Sequence, residues 1–218
     1  MKGGDFKYPI VFGGTFSPPH KGHLHIIHQC RLMYPSKKIV IVPSYHTPFK
    51  DIGDMLPYDE RLALLKLALE DYKDAYPDDD ARYLEVSDIE RDAGAQIKTS
   101  QLLQMLHARF DPESVSDADS DYEFGFIAGD DILDRLEEWA NVEYLKKHVR
   151  FIIFRRIYEK GSPHFDEISK RLSAAGFRIS YADNEIVNAS STEVNGNGNA
   201  DLLTVRVRKA LMSFVREA

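Results

Sequence analysis

Apolar residues enter this chain in two ways, as short dense runs and as longer stretches where they recur every third or fourth position. Residues 8–12 (YPIVF), 39–43 (IVIVP), 83–87, 122–128 (YEFGFIA), 149–154 (VRFIIF) and 177–181 are the dense runs. They predict buried strands, because a strand covered on both faces is apolar at nearly every position. Residues 22–33, 58–76, 99–110, 132–148 and 165–175 lie between them and predict helices, and 202–215 predicts a closing one. In the second of these, Leu62, Leu65, Leu69 and Tyr72 mark the expected inward face. Strands alternating with helices predict βαβ units. The expected architecture is an α/β, doubly wound, mostly parallel sheet with helices on both faces. All 218 residues are expected in one domain, with a small C-terminal helical part at 185–218. The acidic stretch 111–121 (DPESVSDADSD) predicts a solvated loop, and 195–199 (NGNGN) a flexible connection.

Composition narrows the partners. Twenty-eight Lys and Arg stand against 35 Asp and Glu, a net charge of −7, so no basic field exists to hold a nucleic-acid backbone. A single cysteine, Cys30, excludes an intramolecular disulfide and a Cys-based zinc cluster. The opening residues, MKGGDFKYPIVFGG, carry too short an apolar run for a signal peptide. No stretch reaches the roughly 20 apolar residues that a bilayer requires. A cytoplasmic location without membrane attachment is the expectation. Assembly into a homo-oligomer is left open.

Candidate chemistry concentrates where the first strand meets the first helix, at Gly13-Gly14-Thr15-Phe16-Ser17-Pro18-Pro19-His20-Lys21-Gly22-His23. In a doubly wound sheet, ligands gather beyond the carboxyl ends of the strands, and this turn lies at such an end. Glycines let backbone approach a bulky anion, and a helix N-terminus offers free N–H groups and a positive dipole end. His20 and His23, three apart, share one side of the helix start and can donate to phosphoryl oxygens as charge builds. The run His20, His23, His25, His28, Cys30 also raises a zinc reading. However, HExxH is absent and no second ligand cluster is visible, so no metal site is expected. His25 and His28 are read as packing or surface residues. Neither a Walker pattern nor GxGxxG is present.

GGTF followed by HKGH directly after strand one resembles the HxGH nucleotidylyltransferase superfamily. The longer pattern is similar to that of bacterial nicotinate mononucleotide adenylyltransferases of NAD biosynthesis. The resemblance implies a Rossmann-like fold and places Gly13, Gly14, Thr15, Phe16, His20 and His23 on the ATP phosphates. Ser17 and Pro19 stand where the family has Asp and an aliphatic residue. The family's Pro-Pro-His-Lys-like loop here reads Thr47-Pro48-Phe49-Lys50, which keeps the lysine and loses the histidine. Lys50 thereby joins His20 and His23 as an expected catalytic group. Arg61 opens the next helix as in the family; taken alone, it is equally a surface arginine. Thr99, within Ile97-Lys98-Thr99-Ser100-Gln101-Leu102-Leu103, corresponds to the family's pyridine-nucleotide contact. Gly129-Asp130-Asp131 and Trp139 resemble the family's Gly-x-Asp and its downstream tryptophan, although a core role for Trp139 stays open. Arg155, in Phe151–Phe154 followed by Arg155-Arg156, is the better aligned of the two arginines. Ala189-Ser190-Ser191-Thr192-Glu193-Val194-Asn195 resembles Ile-Ser-Ser-Thr-x-Ile-Arg, so Ser190, Ser191 and Thr192 are expected on the triphosphate. The family's arginine is Asn195 here, which leaves Arg206 or Arg208 to supply the charge.

The implied activity is transfer of AMP from ATP to nicotinate mononucleotide, with Mg²⁺ held mainly by the ATP phosphates. The implied partners are ATP and a pyridine mononucleotide. Two alternatives remain. The altered loop around Ile97 and Lys98 fits a different phosphorylated acceptor, such as pantetheine phosphate. Phe49 and Asn195 fit a catalytically weakened nucleotide-binding module.

Overall fold

The structure is a computed structural model that describes residues 7–45, 55–94, 97–112, 123–159, 161–184 and 200–217. Six strands form one sheet: β1 (Ile10–Gly14), β2 (Ile39–Pro43), β3 (Leu84–Val86), β4 (Phe124–Gly129), β5 (Val149–Phe154) and β6 (Arg178–Tyr181). Their order is β3-β2-β1-β4-β5-β6. The pairs β1–β4, β2–β3, β4–β5 and β5–β6 are parallel. The chain thus runs from β1 outward to β3 and then returns to β1's other side for β4. That reversal of strand order is where open parallel sheets bind ligands.

The dense apolar runs became strands because both faces are covered. Every residue of β2 is buried, and Phe151, Ile152, Ile153 and Phe154 of β5 are fully buried. The helices are α1 (Lys21–Met33), α2 (Tyr58–Ala75), α3 (Ile89–Asp92), α4 (Thr99–Phe110), α5 (Val142–His148), α6 (Pro163–Ala174) and α7 (Val205–Glu217). The short α3 has no apolar period and escapes sequence reading.

Two expectations need correction. The helix expected over 132–148 is interrupted: Asp130–Glu138 is a 3-10 stretch, and α5 begins only at Val142. Trp139 turns extended, and Asn141 takes a left-handed φ of 56°, a conformation that asparagine tolerates better than most residues. In α2 the buried face is Arg61, Leu64, Leu65, Ala68, Asp71 and Tyr72, so it is rotated from the expected one. Leu62 and Leu69 are only half-buried, because two ionic residues occupy inward positions.

Two compact units divide the chain. One comprises 1–13 and 97–186, the other 14–96 and 187–218. In the second unit α7 lies on α2. The Arg206 guanidinium donates to Asp71 Oδ1 at 2.7 Å and Asp74 Oδ2 at 2.5 Å, and its backbone N–H donates to Asp71 Oδ2 at 2.8 Å. Among the described residues no helix is long and apolar enough to cross a membrane.

Candidate active site

The turn after β1 owes its shape to Gly14 and Phe16. Phe16 has a left-handed φ of 47°, and its ring is 1% exposed. A Cβ on Gly14 would stand 3.1 Å from the Phe16 ring, a tight contact that glycine avoids. The other face of that ring meets His23 edge-on, centroids 4.8 Å apart. His20 is the N-cap of α1 and is buried, and its ring stacks on His23 at 3.6 Å. The His20 backbone N–H donates to His23 Nδ1 at 3.1 Å. An accepting Nδ1 in a neutral imidazole fixes the proton on Nε2, so His23 presents a donor from its other nitrogen. Both histidines therefore stand at the positive end of α1, with no acidic residue in its first turn.

The loop is tied down from below. Gly14 O accepts from Ser44 N at 2.8 Å, just after β2. Arg61 is fully buried, which removes its reading as a surface arginine. Its guanidinium donates to Thr15 O at 2.7 Å. His28 stacks on Tyr76 at 3.8 Å with planes 12° apart, a packing role as expected. His25 is half-buried on the body of α1. Lys50, Ser190, Ser191, Thr192, Phe49 and Asn195 lie outside the described residues. Arg206, one of the two arginines expected to supply the charge that Asn195 lacks, pairs with Asp71 and Asp74.

The expected substrate-binding residues Thr99, Asp131, Trp139 and Arg155 belong to the first unit, residues 1–13 and 97–186. Gly13 ends its share of β1, and an added Cβ there would meet the Phe126 ring at an ordinary 3.6 Å. Thr99 is the first residue of α4, whose start is capped by Gln101 Oε1 accepting from Lys98 N at 2.8 Å. Trp139 is half-buried and packs edge-on to Phe126 at 6.2 Å and to Phe151 at 6.0 Å. It thus anchors on the core while part of its ring stays accessible.

Adjacent carboxylates behave oppositely. Asp130 is fully buried, and its side chain accepts from the backbone N–H groups of Arg156, Ile157 and Tyr158 at 2.9, 3.0 and 3.0 Å. Asp131 is exposed and pairs with Arg156 at 3.4 Å. A Cβ on Gly129 would overlap both Asp131 Oδ1 and Arg156 Cδ, so the glycine makes room for this pair. Arg155, the expected substrate contact, turns away from Asp131. It donates to the Asn184 carbonyl and to Asp183, while Asn184 Oδ1 accepts from its backbone N–H at 3.0 Å. Sequence reading passed over the buried role of Asp130 and the pairing of Arg156 with Asp131. A Gly-Asp-Asp run and an Arg-Arg pair do not show which member faces inward.

Comparison with known proteins agrees with this fold. A family model described as cytidylyltransferase-like matches residues 11–197. Similar proteins include a "Probable nicotinate-nucleotide adenylyltransferase" from Listeria innocua, 28% identical over 158 residues, covering 71% of this chain and 73% of that one. Another of the same name, from Helicobacter pylori, is 29% identical over 181 residues, covering 80% of this chain and 93% of its own. Among solved structures, the nicotinic acid mononucleotide adenylyltransferase of Plasmodium falciparum superposes with a TM-score of 0.70 at 15% identity. It covers 95% of this chain and 96% of its own, a likeness of fold. The same enzyme complexed with NaAD superposes at 0.68. With a glycine turn, a stacked histidine pair at a helix N-terminus and the strand order of a nucleotide-binding sheet, the chain belongs to the cytidylyltransferase-like family.

Proposed function

We propose that this protein transfers AMP from ATP to nicotinate mononucleotide, giving deamido-NAD and pyrophosphate. One oxygen of the acceptor's 5′-phosphate forms a bond to the α-phosphorus of ATP, the bond to the β-phosphate oxygen breaks, and its electron pair leaves with pyrophosphate. A phosphate monoester is already anionic at neutral pH, so the step needs no general base. Catalysis rests on positioning and on donors aimed at the developing charge. The observation that carries the reading is the stacked His20–His23 pair at the start of α1, with His23 Nδ1 accepting from the His20 N–H. His20, His23, Gly14, Thr15 and Phe16 bind the ATP phosphates, with Lys50, Ser190, Ser191 and Thr192 in the same role. Thr99, Asp131 and Trp139 hold the pyridine nucleotide, with Arg156 beside Asp131 and Arg155 fixing the chain behind them.

The names borne by the similar proteins support the choice of acceptor. Imidazole N–H and backbone N–H donors suit phosphate oxygens, and among the described residues no three His, Cys, Asp or Glu side chains converge on a metal. Magnesium is read as part of the substrate, bound by the triphosphate, where it neutralises phosphate charge. The test is pyrophosphate release from Mg·ATP with nicotinate mononucleotide, nicotinamide mononucleotide or pantetheine phosphate. Fastest release with the nicotinate compound is expected. Preference for pantetheine phosphate would move the protein to another branch of the superfamily, and ATP binding without release would make it a binding module.

A further inference from the structure

Arg61 is a fully buried cation in α2, and no part of the chemistry above uses it directly. Burying a guanidinium is costly unless its donors are satisfied, and among the described residues its acceptors are backbone carbonyls. Nε donates to Leu56 O at 2.9 Å, one terminal nitrogen to Thr15 O at 2.7 Å, and the other to Tyr45 O at 3.4 Å. Thr15 belongs to the phosphate turn. Tyr45 follows β2, and Leu56 precedes α2. The planar fork thus ties three chain segments that are distant in sequence to one rigid group.

Two further contacts join the same segments. Ser17, fully buried in the phosphate turn, accepts from Leu56 N at 2.9 Å through its hydroxyl oxygen. Glu90, buried on α3, accepts from Tyr45 N at 2.9 Å. Tyr45 is therefore held through both its carbonyl and its N–H, and so is Leu56. Burial pushes the Glu90 carboxyl above its ordinary value, opposed by the Tyr45 N–H and the Arg61 charge.

We propose that Arg61, with Ser17 and Glu90, is a positioning device that sets the geometry of the phosphate turn against the ends of the β2–α2 connection. None of the three touches substrate in this scheme; they act through Thr15, Tyr45 and Leu56. A lysine cannot replace the fork, because one ammonium cannot reach three carbonyls in a plane. The inference rests on the ATP site proposed above, but its first readout does not.

The experiment compares the parent with Ser17→Ala, Arg61→Lys and Glu90→Gln. Hydrogen exchange of the ligand-free proteins is measured over residues 12–20, and the affinity for ATP is measured by calorimetry. Steady-state constants for ATP and for the acceptor follow. Faster exchange in the turn is expected for Ser17→Ala and Arg61→Lys. The KM for ATP should rise by about tenfold or more while that of the acceptor stays within about twofold, as small misplacements of a binding loop are costly. If Arg61→Lys fails to fold, Ser17→Ala, which deletes a single hydroxyl, decides. Unchanged exchange and unchanged ATP affinity in folded Ser17→Ala would overturn the proposal. A parent that binds no ATP would sink the functional reading, and the exchange data would still judge the brace.

Discussion

Asp130 and Asp131 are identical residues, one peptide bond apart, and the fold gives them unrelated tasks. Asp130 closes the backbone after β5 by accepting from three successive N–H groups. Its replacement by alanine would remove the acceptor of all three N–H groups. Asp130→Ala should lose about 3 kcal/mol of stability, read as a lower urea midpoint. The rest of the site reads differently at this scale. His23→Ala removes a donor from the proposed phosphate site and should cost on the order of 10²–10³ in turnover with little change in thermal midpoint. Turnover near the parent's would refute the role given to His23. The loop motif stands out in the sequence because its residue types suit phosphate chemistry. The sorting of Arg155 from Arg156 was not, since it depends on a contact with Asn184 that is 29 residues away in sequence.

Helices and strands were legible where burial is one-sided or complete, as in β2, β5 and α4. The break between Asp130–Glu138 and α5 was hidden, because leucines at helical spacing continue through a 3-10 stretch. The rotated face of α2 was hidden by two ionic residues that point inward. One of them, Asp71, anchors α7. Burial of Asp71 opposes ionisation, yet the neighbouring Thr204 side chain and the bonds from Arg206 outweigh it and hold the carboxyl below its ordinary value of 3.8. A depressed carboxyl stabilises the folded state above its unfolded value and stops doing so as the pH falls through its folded value. The anchorage of α7 is therefore full above about pH 4 and weakens below it. Hydrogen exchange of residues 205–213 should accelerate on acidification, and Asp71→Asn should show the fast exchange already at neutral pH. A pH-independent α7 in the parent would contradict this account.

For the molecule as a whole, alternation along the chain was enough to give a parallel α/β sheet, but not its strand order. Order depends on which apolar edges meet, and β1 pairs with β4 across more than a hundred residues. The single thiol offers a check on the whole fold. Cys30 is fully buried, and burial pushes its pKa far above that of an exposed thiol. The native protein should resist aromatic disulfide reagents, and labelling in urea should follow the loss of circular dichroism. Prompt labelling without denaturant would show that the packing around α1 opens locally. The chain also has one tryptophan, and it is the half-buried Trp139, edged by Phe126 and Phe151. All the indole emission of the protein thus comes from a single place beside the proposed pyridine subsite. The chain carries its own optical reporter there, so quenching on addition of a pyridine mononucleotide could be titrated without attaching a dye.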